Sequence, residues 1–187
     1  MFRLTLRVLQ RPRTPQSPRR EGRARLMAKK ADAKTNACRM LDAAGLAHIL
    51  HEVTADATLP GTEIARRAGE DPDHVFKTLV TVGRSGQHYV FMVPVAAELD
   101  LKKAAAAAGE KSIAMVHARE LLGLTGYVHG GCSPLGMKKA FPTFIDETCE
   151  LYDTILFSGG RIGLQVEMAF SDLATMLDIT VADLTVI

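Results

Sequence analysis

Five residues in one short segment have the types that suit close contact between backbone and ligand. Gly130, Gly131, Ser133, Pro134 and Gly136 fall within seven positions and predict a loop. Glycine has no Cβ, so its N–H is unshielded and its dihedral angles reach values that other residues avoid. Such a loop can direct several N–H donors at an oxygen atom that carries developing negative charge. The alternative at this point is an ordinary tight turn after a strand.

A single charge interrupts an apolar run upstream of this loop. Lys77 lies within Val75–Val80, a run that otherwise predicts a strand. A lysine in such a position either extends its ammonium to solvent or directs it into a pocket. Thr78 follows, and it is either a ligand-binding hydroxyl or a β-branched residue that only favours the strand.

A second glycine-rich turn, Ser158-Gly159-Gly160-Arg161, follows another strand-like segment. Its glycines allow a tight turn, and Arg161 either contacts phosphate or is solvated. Cys132 lies near His129, and a cysteine beside a histidine can act as a nucleophile. We interpret Cys132 instead as a small apolar residue in the wall of the loop.

Helices interleaved with strands must position these segments. Helical spacing and capping residues predict helices at 34–44, 62–68, 101–108, 117–122 and 171–177, with a short helix beginning at Asp71-Pro72. Apolar runs predict strands at 46–53, 77–82, 88–93, 113–116, 143–146, 154–157 and 164–167. No regular βαβ repeat is present, which predicts an α+β domain with a mixed sheet.

The two ends of the chain differ in charge, which the net charge of +2 conceals. Residues 1–26 contain eight arginines and one acid, Glu21, and are interrupted by three prolines. We expect this segment to be a disordered basic leader. It has three interpretations: an organellar transit peptide, a nucleic-acid-binding tail, or sequence upstream of the native start at Met27. We favour the last, with residues 27–187 as a single domain.

The remaining 161 residues are acidic, with 15 basic and 20 acidic side chains from Met27 onward. Proteins that hold nucleic acid mainly through its phosphates are basic along one face. The acidic balance therefore disfavours a general nucleic-acid binder. Basic residues form only local pairs, at Arg66-Arg67, Lys102-Lys103 and Lys138-Lys139.

Other function classes leave no pattern in this sequence. The three cysteines, Cys38, Cys132 and Cys149, lack C-x-x-C spacing, which disfavours disulfides and zinc and indicates a reducing cytoplasm. No apolar run approaches the ~20 residues that span a bilayer. The histidines lack metal-ligand spacing, and no P-loop is present. We therefore expect no membrane partner, no metal and no cofactor.

Four segments, in this order and spacing, together resemble the YbaK-type aminoacyl-tRNA editing proteins, best known as Cys-tRNA(Pro) deacylases. The likeness extends from about Lys34 to Ile187, and the segments are 75–79, 94–103, 126–136 and 158–164. The resemblance implies the fold of that family, a curled, barrel-like mixed sheet flanked by helices.

The resemblance also implies roles for the residues above. The substrate is the acylated 3′ end of a tRNA. Mischarged cysteine is removed from tRNA(Pro), and whether it is also removed from tRNA(Cys) stays open. Lys77 matches the family's essential lysine and positions the ester. The 130–136 loop cradles the carbonyl and ribose, and Ser158, Gly159 and Gly160 shape a small acyl pocket. Prolyl-tRNA synthetase is an expected partner that presents the substrate.

In the cysteine-specific relatives the thiol of the substrate attacks its own carbonyl, which removes the need for a catalytic triad. Two alternatives stay open. One is an Ala-tRNA(Pro) deacylase assisted by the ribose hydroxyl, and the other is a non-catalytic, synthetase-associated module that binds tRNA ends. Gln165 stands where some relatives carry an acid, and Val53 where some carry a tyrosine. These two departures leave the acyl specificity open.

Overall fold

The computed structural model describes residues 34–55 and 58–186. The expectation of a basic leader at 1–26 lies outside these residues. The described part contains α1 (Asn36–Ala44), β1 (Ile49–Glu52), α2 (Gly61–Ala68), β2 (Val75–Gly83), β3 (His88–Pro94), α3 (Leu101–Ala107), β4 (Ile113–Met115), α4 (Ala118–Thr125), β5 (Thr143–Asp146), a 3₁₀ helix (Glu147–Leu151), β6 (Ile155–Ser158), β7 (Leu164–Met168), α5 (Phe170–Met176) and β8 (Ile179–Ala182).

The strands form one mixed, eight-stranded sheet in the order β1-β7-β6-β2-β3-β5-β8, with β4 also paired to β2. β6 runs parallel to β2, and β5 runs parallel to β3 and β8. The remaining pairs are antiparallel. The prediction of a mixed sheet flanked by helices is confirmed, and the described strands form an open sheet with β1 and β8 at its ends.

Local sequence explains where several helices begin and end. The Thr35 hydroxyl accepts from the Cys38 N–H at the start of α1, and Gly45 ends that helix with a φ of 66°. Asp100 caps α3 by accepting from the N–H groups of Lys102 and Lys103. Side-chain acceptors of this kind satisfy N–H groups that have no partner within the helix.

Both faces of the sheet are covered. On one face Phe76, Met92 and Phe157 are buried against α1 and α5. On the other face Tyr89, Phe91 and Val93 pack against the alanine-rich α3. Within the described residues, no helix is both long enough and apolar enough to cross a membrane.

Two local predictions were wrong. No helix follows Asp71-Pro72, because the Asp71 side chain accepts from the Asp73 N–H and its C=O from the His74 N–H, which closes a single turn before β2 begins. β8 was not predicted. Its residues are only partly buried, and the strand forms by pairing with β5, from Thr143↔Ile179 to Asp146↔Ala182.

Candidate active site

A cavity of about 260 Å³ lies where two parallel strands separate. β6 pairs with β2 only at Val75 and Phe76, and β4 joins the same edge of β2 only from Thr81 onward. The edge of β2 between these two pairings borders the cavity. Its other walls come from the start of α2, from α4, from the 129–132 loop and from the turn after β6.

This separation explains how Lys77 and Thr78 reach one cavity. Successive side chains of a strand point to opposite faces of a sheet, so neighbours in a continuous sheet would not share a site. Because β2 has no neighbouring strand on this edge between its pairings with β6 and β4, side chains from both of its faces reach the same space. The Val80 C=O points to this edge, since it accepts from the Val116 N–H. Backbone groups alternate along a strand, so Thr78 presents its own N–H and C=O on the same side.

Four of the predicted site residues line the cavity: Lys77, Thr78, Gly130 and Ser158. The other six lie outside the lining: Gly131, Ser133, Pro134, Gly136, Gly159 and Gly160. Ser158 is the register partner of Gln165, so their side chains lie on one face of the sheet. The Ser158 hydroxyl accepts from the Gly160 N–H at 3.2 Å, and its O–H has no acceptor among the described residues, so it can donate to a ligand.

The Lys77 ammonium is held loosely at the cavity. Its Nζ lies 3.3 Å from Oε1 of Glu98, and the two side chains are 26% and 85% exposed. Exposed ion pairs contribute about 0–1 kcal/mol, so a ligand with a carbonyl or phosphate oxygen competes easily for this ammonium.

Two residues that line the same cavity each have a buried side-chain oxygen with no hydrogen-bond partner within the described residues. These oxygens are Oγ1 of Thr78 and Oε1 of Gln165, and Gln165 is 7% exposed. Leaving a buried polar group unpaired costs about 1–3 kcal/mol. A ligand that supplies N–H or O–H donors would satisfy these oxygens. Sequence analysis noted Gln165 only as a departure from relatives and missed it as a lining residue.

Three glycines that do not line the cavity, Gly131, Gly136 and Gly160, pack closely where its two loops meet. A Cβ on Gly131 would lie 3.1 Å from the backbone of Arg161 and Ile162. The Tyr127 side chain lies between the loops, because a Cβ on Gly136 would lie 2.8 Å from its hydroxyl and a Cβ on Gly160 would lie 2.9 Å from its ring. These two glycines have φ values of 73° and 93°.

A buried hydroxyl network holds the first loop in shape. The Tyr127 O–H donates to the Leu135 C=O at 2.7 Å, and burial raises the pKa of that phenol. Ser133 is fully buried, and its Oγ accepts from the Leu135 N–H. Sequence analysis missed Tyr127, although it stands at the start of the glycine loop.

Cys132 lines the cavity without the environment of a nucleophile. It is 7% exposed, and burial raises the pKa of its thiol to about 12. A reactive cysteine needs a lowered pKa, so the geometry supports its interpretation as a wall residue. The other cysteines, Cys38 and Cys149, are also free and buried. Among the described residues no cluster of three or more histidine, cysteine or acidic side chains could hold a metal ion.

The apolar wall comes from residues that sequence analysis did not select. Leu59, Pro60 and Ile64 contribute from the start of α2, together with Val95 and Leu121. A Cβ on Gly61 would lie 3.1 Å from Val95, so glycine lets α2 approach this wall closely. The Pro60-Gly61 pair at the start of α2 was the sequence signal that could have indicated this close approach.

His51 supports the site from outside the cavity. Its Nε2 lies 2.7 Å from Glu167 Oε2, and Glu167 also accepts from the Thr154 hydroxyl at 2.9 Å. The hydrogen bond with His51 is the main reason that the pKa of Glu167 is lowered. His51 is also the register partner of Gln165, so the His51–Glu167 pair stabilises the strand that carries Gln165. Arg161 lines the cavity and forms an ion pair with Glu52.

A sequence profile described as "Aminoacyl-tRNA editing domain" matches residues 56–176, which include β2, both glycine-rich turns and most of the cavity wall. The chain belongs to this editing-domain family. A curated protein of Enterococcus faecalis, EbsC, is 39% identical over 158 residues, which are 84% of this chain and 96% of EbsC. EbsC is provisionally described as a Cys-tRNA(Pro)/Cys-tRNA(Cys) deacylase.

Solved structures agree with this membership. A protein provisionally described as a trans-editing enzyme for prolyl-tRNA synthetase is 27% identical, with a TM-score of 0.69 over 81% of this chain and 97% of its own. A hypothetical protein that is 23% identical has the same fold, with a TM-score of 0.74 over 81% of this chain and all of its own. The resemblance to editing proteins stated above is confirmed.

Proposed function

We propose that this editing-domain protein is a trans-acting deacylase that removes mischarged cysteine from tRNA(Pro). The observation that carries the proposal is one small cavity lined by Lys77, whose ammonium is loosely held, and by Thr78 and Gln165. The buried side-chain oxygens of these last two residues have no hydrogen-bond partner among the described residues. An aminoacyl ester has matching groups, since its carbonyl oxygen accepts and its ammonium donates. The name of EbsC supports cysteine as the acyl group and adds tRNA(Cys) as a second substrate.

The size of the cavity supports a small acyl group. Its volume of about 260 Å³ is below the ~300–1,000 Å³ typical of sites for drug-sized ligands. An apolar pocket separates side chains that differ by one methylene by only ~1–3 kcal/mol. Packing alone would therefore discriminate poorly among cysteine, serine and alanine.

Use of the substrate thiol as the nucleophile would supply the missing discrimination. In the proposed reaction the cysteinyl sulfur attacks the ester carbonyl carbon, a C–S bond forms, and the C–O bond to the ribose breaks. The thiol proton ends on the released ribose hydroxyl, and the acyl group leaves as a thiolactone. Lys77 donates to the carbonyl oxygen and stabilises its developing negative charge. This reaction needs no nucleophile from the protein, in keeping with the protonated thiol of Cys132.

The test is the release of cysteine from Cys-tRNA(Pro) by the full chain, with Ser-tRNA(Pro) and Ala-tRNA(Pro) as matched substrates. We expect release from the cysteinyl substrate alone. Equal release from Ala-tRNA(Pro) would refute thiol assistance and favour the alanine deacylase. Binding of tRNA without release from any substrate would instead indicate a non-catalytic module.

The matched variants are Lys77→Ala and Lys102→Ala, which remove a cavity lysine and an exposed lysine of α3. Loss of one donor to a developing oxyanion lowers the rate by about 10²–10³-fold, so we expect a loss of that size at Lys77 and none at Lys102. An active Lys77→Ala variant would exclude the proposed role of this residue.

Two further parts of the proposal concern partner and place. Prolyl-tRNA synthetase presents the substrate, and a lower KM for Cys-tRNA(Pro) when synthetase is added is the expected sign. Three buried free thiols suit the reducing cytoplasm, where we place the reaction.

A further inference from the structure

Charge is distributed unevenly between two parts of the described chain. Residues 117–145 contain three basic side chains, Arg119, Lys138 and Lys139, and one acid, Glu120. Residues 146–186 contain eight acids and one basic residue, Arg161. The acidic balance of the whole domain therefore hides a basic segment.

The three basic side chains are exposed and have no acidic partner within the described residues. Lys138 Nζ donates to a neutral group, the Leu122 C=O, at 3.2 Å. Other basic residues are paired, such as Arg67 with Glu63 at 2.9 Å and Lys103 with Asp183 at 2.7 Å. Lys102 and Lys111 also form no ion pair within the described residues, which makes them suitable controls below. We call Arg119, Lys138 and Lys139 the basic rim.

The basic rim adjoins the cavity through its own elements. Arg119 is on α4, and Leu121 of the same helix lines the cavity together with His129 and Gly130. The Lys138 N–H donates to the C=O of Thr125, the last residue of α4. The rim residues are therefore carried by α4 and by the segment after the glycine loop, two parts of the chain that also line the cavity or adjoin its lining.

We propose that the basic rim binds the phosphates of the RNA strand next to the acylated 3′ end. This inference rests on the proposed function, because an ester held at Lys77 places the adjacent phosphates at the cavity mouth. Unpaired ammonium and guanidinium groups attract phosphate. The eight acids of residues 146–186 repel phosphate, so phosphate contacts are more favourable with the basic side chains of residues 117–145.

The experiment compares Lys138→Gln/Lys139→Gln with the wild type. Lys102→Gln/Lys111→Gln, which removes two exposed lysines elsewhere, is the matched control. Binding of fluorescein-labelled, uncharged tRNA(Pro) is followed by anisotropy from 50 to 200 mM salt, and kcat and KM are measured with Cys-tRNA(Pro). Thermal unfolding establishes that each variant is folded.

Each phosphate contact with a single strand contributes about −0.7 to the slope of log affinity against log salt. Two lost contacts therefore make the slope less negative by about 1.4, so that the affinity falls about 7-fold less over this fourfold salt range. We expect a raised KM and an unchanged kcat in the rim variant, and wild-type values in the control.

An unchanged salt slope and KM in the folded rim variant would overturn the inference while leaving the deacylase intact. An equal change in the control would also overturn it, because the effect would then be one of net charge. A wild-type protein that releases no amino acid would refute the proposed function, and the anisotropy slopes would still decide the basic rim.

Discussion

Thr78→Val should make the protein more stable and less active. Valine has nearly the same shape as threonine and favours strands equally, so the change removes the hydroxyl and little else. Oγ1 of Thr78 is buried without a hydrogen-bond partner in the described residues. Such a group costs about 1–3 kcal/mol, and its removal should raise the free energy of unfolding by up to that amount.

Thr81→Val is the matched control on the same strand. Thr81 is fully buried, but its hydroxyl donates to the Tyr89 C=O at 3.4 Å. Loss of a made hydrogen bond lowers stability by about 0.5–1.5 kcal/mol. The two threonine-to-valine changes should therefore have opposite signs.

Urea unfolding of both variants, with the m-value checked for constancy, measures this difference. For a chain of this size about 1 kcal/mol corresponds to a Tm shift of about 2–4 °C. A Thr78→Val variant that is destabilised as much as Thr81→Val would refute the reasoning from the unpaired oxygen. The deacylation rate, measured on the same samples, tests the second part of the prediction, which is the loss of activity. Full activity of Thr78→Val would show that its hydroxyl makes no contact with the substrate.

Three further predictions follow from other parts of the site. Tyr127→Phe should lower the free energy of unfolding by about 1–3 kcal/mol in urea, because the buried Leu135 C=O loses its donor; an unchanged midpoint would contradict this. Cys132→Ala should keep the deacylation rate within a few-fold of the wild-type rate. Iodoacetamide should modify the wild-type thiol slowly at pH 8, since its pKa is about 12; rapid modification with loss of activity would instead indicate that Cys132 is a nucleophile. The pKa of Glu167 is lowered by His51, so its contribution to stability is present above the ordinary value of 4.5 and is lost as pH falls through the folded-state pKa; Glu167→Gln should reduce this acid sensitivity, and an unchanged pH profile of unfolding would exclude the pair.

Much of the fold could be predicted from local sequence, because helix ends and strands depend on neighbouring residues. Asp100 caps α3, and Gly45 and Gly69 end the helices before them, close to the predicted bounds of 101–108, 34–44 and 62–68. The apolar run around Lys77 forms β2. The motifs around Lys77 and the glycine loop were also sufficient to indicate the family, which a profile and a 39% identical relative confirm.

Only the tertiary structure decided which of these residues meet. Lys77 and Thr78 share a cavity because β6 leaves β2 after Phe76, and strand separation is a property of the sheet that no local segment encodes. Gln165 and Gly61 join them from sequence positions about a hundred residues apart.

The glycines illustrate the same limit. Their spacing predicted loops, but it could not tell Gly130, which lines the cavity, from Gly136, which packs against Tyr127. β8 likewise depends on the edge of β5 for its hydrogen bonds. Local sequence determined which conformations each segment favours, whereas packing between distant segments decided which atoms face the ligand.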